Sequence, residues 1–209
     1  FVSLVNRNIK KSKTIPSSFY YSVEQFNKTK EKLFPKYWQF VCDQNQLNKH
    51  GDAFPYDFIE NFIEEPLVLV NNHGTINAMS NVCTHRGNIL VEEPTNLNGG
   101  IICRYHGRKF DTCGKFKFMP KCEDVENFPS ENDNLKKVDI NKWKQFYFTS
   151  ISPEIGFNEL IKEMDERIGW MPIEKFTFSK EHSKEYTVNG NWALYCDNYL
   201  EGFHIPFVH

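Results

Sequence analysis

Two short loops constrain this chain more than any other part of it: Cys83-Thr84-His85-Arg86-Gly87 and Cys103-Arg104-Tyr105-His106-Gly107. The first reads Cys-x-His and the second Cys-x-x-His, with seventeen residues between His85 and Cys103. Each loop offers one thiolate and one imidazole. Such a set suits an iron–sulfur cluster whose irons are chemically different, one held by two Cys and the other by two His. The glycine that closes each loop has a physical use. Without a Cβ the backbone turns tightly and brings N–H groups close to inorganic sulfide. The competing reading is a structural zinc site, which also takes Cys2His2 sets but usually draws its Cys from one short stretch. Here each half-site pairs a Cys with a His, and the pattern favours iron–sulfur over zinc.

With those residues in view, the sequence resembles a known family. Both loops resemble the Rieske [2Fe-2S] motif, which would make Cys83, His85, Cys103 and His106 the cluster ligands. Respiratory-chain Rieske proteins carry an extra Cys in each loop, joined as a disulfide. The corresponding positions here are Asn88 and Tyr105. The resemblance is therefore to the oxygenase type of Rieske domain, with a reduction potential toward the lower end of the range for such centres. One residue departs from that pattern. Many oxygenases have Trp after the second His-Gly, whereas this chain has Arg108, which leaves the packing beside the cluster open.

A second pattern stands at the far end: Glu201-x-x-His204, with His209 five residues on. A spacing of three predicts Glu201 and His204 on one helix face. Pro206 predicts a bend at Ile205 that turns His209 back toward the same point. Two His plus one carboxylate form the facial triad of non-haem Fe(II) oxygenases. Alone the pattern is a weak signal, because His near a bent helix more often pack or hydrogen-bond. Its place after a Rieske-like segment changes that. The stretch from Trp192 to His209 resembles the mononuclear-iron motif of Rieske non-haem iron oxygenase large subunits.

By that resemblance His204 and His209 are iron ligands, and a third, a carboxylate, lies beyond this chain. Glu201 is then the bridging acid that hydrogen-bonds cluster His106 and ligand His204 across a subunit boundary. Glu in place of the commoner Asp, with the run Asp197-Asn198-Tyr199-Leu200, resembles the branch that acts on quaternary ammonium compounds such as choline, betaine or carnitine. The resemblance implies a mono- or dioxygenase with a [2Fe-2S] cluster and a mononuclear Fe(II). Its substrate would be an aromatic ring or a quaternary ammonium compound. It implies a reductase or ferredoxin partner drawing on NAD(P)H, and a homotrimer in which each cluster serves a neighbouring subunit's iron. A Rieske ferredoxin-like electron carrier without a catalytic site is the alternative of a different class. The first 150 residues allow it; the second pattern argues against it.

A chain of 209 residues can bury one good core, or one domain and part of another. At 40% hydrophobic and 15% aromatic residues it is globular rather than disordered. A net charge of −2 gives no general pull toward nucleic acid or anionic membrane. No apolar run reaches the roughly 18 residues of a membrane span. The basic start, with Arg7, Lys10, Lys11 and Lys13, is followed by no apolar stretch and reads as a solvated tail, not a secretory signal. Cys42, Cys113, Cys122 and Cys196 show no disulfide-scaffold spacing, which favours a reducing cytoplasm and packing or surface thiols. Phe1 is not an initiator Met and the sequence stops on His209. A piece of a longer chain, truncated at both ends, is expected.

The expected fold class is α+β. Residues 1–37 read as a basic tail and a helix from Ser22 to Leu33, capped by Ser22 and ended by Pro35. Residues 38–150 read as a small antiparallel β Rieske domain. Its strands are expected over 37–41, 67–70, 75–79, 101–102, 108–111, 115–118, 138–140 and 145–149, with Trp143 in the last turn. His73 is assigned to a hairpin tip without a partner. Residues 151–209 read as the beginning of an α+β catalytic domain. A helix is expected over 158–168, strands over 176–178 and 185–188, and a further helix capped by Asn189 or Asn191.

Overall fold

Leu67-Val68-Leu69-Val70 marks the deepest part of the structure, a computed structural model that describes residues 6–208. All four side chains are buried to 1% exposure or less. A strand covered on both faces needs a continuous apolar run rather than an alternating one, and this run supplies it. In chain order, helices α1 (Ser18–Tyr21) and α2 (Val23–Lys32) precede ten strands. These are β1 (Gln39–Asp43), β2 (Asp52–Phe58), β3 (Glu65–Asn72), β4 (Thr75–Ser80), β5 (Thr95–Asn96), β6 (Ile101–Ile102), β7 (Lys109–Phe110), β8 (Phe116–Phe118), β9 (Lys137–Trp143) and β10 (Phe146–Ser150). Helices α3 (Phe157–Ile168), α4 (Trp192–Leu200) and α5 (Ile205–Val208) follow. They fall into two compact units, one spanning Phe34–Phe176 and the other built from the stretches on either side of it.

In the central unit all strand pairs are antiparallel. A seven-stranded sheet has the order β1-β10-β9-β4-β3-β2-β5, and a three-stranded sheet the order β6-β7-β8. The β3–β4 hairpin closes through His73 and Gly74, both at positive φ (51° and 90°), the conformation a tight two-residue turn requires. His73 has a partner after all. Its ring stacks on His50 with centroids 3.7 Å apart, and its N–H donates to His50 Nδ1 at 3.2 Å. That contact joins residues 23 apart, which is why the hairpin alone did not announce it. Strand β2 was not expected, because Pro55 interrupts its pattern. It is tolerated there because β5 pairs only with Asp52 and Ala53, leaving β2 an edge at Pro55.

Trp143 is not in a turn; it ends β9 and is buried. Its indole N–H donates to Asp165 on α3 at 3.1 Å, and it packs in one cluster with Phe157, Ile161 and Ile173. Helix α3 is thereby held through the buried face that its apolar spacing prescribes. Among the described residues, no helix is long and apolar enough to cross a membrane.

In the other unit, Ser22 caps α2 by accepting from Gln25 N–H, and Asn191 caps α4 by accepting from Ala193 N–H at 3.0 Å. The Tyr20 hydroxyl hydrogen-bonds Asp197, and Asn191 Nδ2 donates to Tyr20 O at 3.0 Å, tying α1 to α4. The expected strands at 176–178 and 185–188 are not formed, for no strand among the described residues pairs with them. The helix break also falls elsewhere. The chain leaves α4 at Glu201, which is extended (φ −99°, ψ 146°), and Ile205-Pro206 opens α5. A proline in a first turn lacks only an N–H that would have no helical partner there.

Phe110 should be among the costliest side chains to shorten, since it is 1% exposed within the same core cluster as Cys83 and Cys103. Phe110→Ala is expected to destabilise the protein by about 3–5 kcal/mol. Denaturant unfolding measures this, and a loss of only a few tenths would show that the cluster is not a packed core.

Candidate metal centre

The two Cys/His loops are built alike. In the first, Cys83 N–H donates to Asn88 O at 2.8 Å and Gly87 N–H donates back to Cys83 O at 3.0 Å. In the second, Cys103 N–H donates to Arg108 O at 2.8 Å and Gly107 N–H to Cys103 O at 2.9 Å. Gly87 and Gly107 share a φ of +72°, a conformation that L side chains adopt only with strain. A lone bridge, Val82 with Ile89, closes the first loop, and the β6–β7 pair Ile102 with Lys109 closes the second.

This construction sorts the four side chains into two pairs. Cys83 and Cys103 are 3% and 2% exposed and belong to the same core cluster. The His85 and His106 rings sit edge to face, with centroids 4.7 Å apart, toward the surface. Among the described residues, no three His, Cys, Asp or Glu side chains gather as a single-ion site would need. Two buried thiols beside two outer imidazoles fit a [2Fe-2S] cluster that takes two protein ligands at each iron. A further observation agrees with that fit: His106 Nδ1 is buried with no hydrogen-bond partner. An unpaired buried nitrogen costs about 1–3 kcal/mol unless something takes its lone pair.

The surroundings act differently on the two kinds of ligand. Burial pushes the Cys83 thiol up, and the Cys103 thiol adds to this against an opposing His85 N–H and the Arg108 charge. Cluster binding would therefore release the Cys83 proton. Burial lowers His85, and His106, Arg86 and Arg108 lower it further. A neutral imidazole is the form that binds a metal. All six Cys are free, so no disulfide braces the loops. At position 105 the tyrosine ring lies over His106, with centroids 3.9 Å apart.

The loops are joined through Asp133, a residue the sequence did not bring forward. Its carbonyl accepts from Thr84 Oγ1 at 2.8 Å and from Arg108 Nη2 at 3.2 Å, and its carboxylate pairs with Arg108 Nη2 at 2.6 Å. Burial alone would raise the Asp133 carboxyl, but hydrogen bonds from Ser130 and Arg108 outweigh it and hold the group below the usual carboxylate range. Ser130 caps the turn by donating N–H and Oγ to Asp133 Oδ2 at 2.7 and 2.9 Å. The spacing Ser130-x-x-Asp133 is a capping signal and was the one local clue.

In the second pattern, Glu201 and His204 meet, though not on a helix face. The carboxylate Oε1 hydrogen-bonds His204 Nδ1 across the break after α4, and Oε2 accepts from Phe203 N–H. The contact with His204 holds the Glu201 carboxyl below the usual range. His209 lies outside the described residues, so the structure places one of the two expected iron-binding His and the acid beside it.

A family model described as the Rieske [2Fe-2S] domain matches residues 37–129. The chain is 25% identical over 217 aligned positions to the chloroplastic choline monooxygenase of Arabidopsis thaliana, covering 96% of this chain and 49% of that one. It is 28% identical over 201 positions to the carnitine monooxygenase oxygenase subunit of Escherichia coli (strain K12), covering 94% and 52%. A crystal structure of the quaternary ammonium Rieske monooxygenase CntA matches with a TM-score of 0.78 at 25% identity, over 94% of this chain and 54% of that one. The chain thus spans about half the length of the curated relatives it matches. Residues 37–129 thus match the Rieske [2Fe-2S] domain, in a chain similar over nearly all of its length to choline and carnitine monooxygenases.

Proposed function

We propose that this chain is the cluster-bearing part of a Rieske oxygenase component that hydroxylates a small organic substrate, with quaternary ammonium compounds the favoured class. The observation that carries the reading is the pair of matched loops, two buried thiols beside two outer imidazoles, in a chain that also sets Glu201 against His204. Support for the substrate class comes from the relatives, whose names specify choline and carnitine.

Cys83 and Cys103 would hold one iron from the core side, and His85 and His106 the other at the surface. When bound, the cluster supplies one-electron transfer, and a mononuclear Fe(II) with His204 and His209 as the donors of this chain supplies the oxygen chemistry. The residues of the chain do the rest. The buried cysteines keep water from the inner half of the site, while His85 and His106 form its outer edge, where a redox partner can approach. A reductase or ferredoxin fed by NAD(P)H is that partner in this reading.

Glu201 has a distinct task. An ionised carboxylate on Nδ1 fixes the His204 tautomer with the proton on Nδ1, leaving Nε2 to face a metal. Its Oε2 is held by Phe203 N–H, so the acid is aimed rather than free to rotate. In a homotrimer the same carboxylate would also reach His106 of the partner subunit and join the two metal sites.

Full-length protein purified without oxygen is expected to carry two irons and two sulfides per cluster and to give a Rieske-type EPR signal on reduction. Cys103→Ser should abolish that signal. Stoichiometric zinc in a protein silent to EPR after reduction would overturn the reading.

For Glu201, both Glu201→Gln and Glu201→Ala in the full-length protein should keep the cluster. Any loss of mononuclear-iron affinity should stay within the 10–100-fold that removing a neighbouring hydrogen-bond partner causes, so iron content is measured beside activity. Both variants should lose most coupled turnover. His204→Ala should lose the mononuclear iron itself. If Glu201→Ala, with full iron and substrate bound, reoxidises its cluster with oxygen as fast as the parent, Glu201 is no bridge.

A further inference from the structure

We propose that Arg108 sets the reduction potential of the cluster: its guanidinium, locked against Asp133 beside both Cys/His loops, is a permanent buried cation that makes the cluster easier to reduce. The proposal rests on the reading of those loops as the cluster site.

Arg108 follows the second loop directly, and its carbonyl accepts from Cys103 N–H at 2.8 Å. The side chain is 4% exposed. Its guanidinium carbon lies 4.7 Å from the Phe116 ring centroid, 5.6 Å from that of Phe128 and 5.7 Å from that of Phe110. Aromatic faces favour a cation at these distances. Nη2 reaches the Asp133 carboxylate and carbonyl, and Nε is buried without a partner. An arginine buried this way with an unpaired N–H is expensive if packing were its only use, since apolar groups of similar volume often replace buried ion pairs without loss.

The charge is placed to act on both loops. The Arg108 carbonyl accepts from Cys103 of the second loop, and its Nη2 shares the Asp133 carbonyl with Thr84 of the first. Within the protein such a field is weakly screened by water and salt. The paired Asp133 carboxylate, 2.6 Å away and more exposed than Arg108 (19% against 4%), offsets only part of it. Reduction adds one electron to the cluster, taken from the reductase of the proposed function, and moves no atom. A nearby cation stabilises the added negative charge, and so raises the potential.

A clamp with no electrical role would give a different result, and the sign of the effect separates the two. In the full-length holoprotein, the midpoint potential is measured by dithionite titration followed by EPR, with iron and sulfide counted for each variant. Arg108→Gln should move the midpoint to more negative values, disfavouring the reduced form about tenfold at fixed potential, the size of one screened unit charge. Arg108→Lys keeps the charge and should stay closer to the parent. Asp133→Asn leaves the cation unopposed and should move the midpoint the other way. An unchanged midpoint in cluster-replete Arg108→Gln would overturn the proposal. So would shifts of the same sign in Arg108→Gln and Asp133→Asn, which mark a packing effect. If Arg108→Gln cannot hold a cluster, the other two variants decide: a negative or absent shift in Asp133→Asn rejects the electrical role. A parent protein that binds no cluster at all would instead reject the proposed function.

Discussion

The structure depends on placing two thiols in a dry core while two imidazoles remain at its edge. Sulfur ligands hold a cluster best where water cannot compete, and electrons must still get in and out. The matched backbone bonds of the two loops meet both needs. In each, the Cys N–H bonds forward across the loop while its carbonyl accepts from the closing Gly. The Cys side chain is thereby turned into the cluster of Val68, Val70, Met79 and Phe110, with the His outward. An isolated antiparallel bridge closes the first loop and the β6–β7 pair closes the second.

A second constraint follows from the first. Two loops twenty residues apart in sequence must be held at a fixed separation without a covalent bridge, since all six Cys are free. Asp133 does this with hydrogen bonds: one carbonyl serves Thr84 in the first loop and Arg108 after the second. Of these groups Arg108 is the buried one, and leaving its guanidinium unpaired would cost about 1–3 kcal/mol or more. Arg108 thus packs against aromatic rings and adds a charge beside the loops.

What could be read in advance was local. The run Leu67–Val70, the turn after it, the Gly-closed loops and the Asn191 cap are all written within a few consecutive residues. What could not be read was set by distant partners. Pro55 hid β2 because edge position, not composition, decides whether a strand tolerates proline. Trp143 has the look of a turn residue until α3 supplies Asp165. His50 and His73, or Arg108 and Asp133, meet only once the sheet is formed. At the Glu201-x-x-His204 pattern, the spacing correctly paired the two side chains for the wrong reason. The contact comes from an extended residue at the end of α4, and Pro206 starts a helix instead of ending one.

The central claim is the asymmetry of the site, with thiols inside and imidazoles outside. Mössbauer spectroscopy of the iron-loaded, reduced full-length protein tests it most directly, because it resolves each iron by its ligands. Two inequivalent irons are expected, with the ferrous one showing the nitrogen coordination of His85 and His106. Two irons with indistinguishable sulfur coordination, or a single iron in place of a pair, would contradict the account.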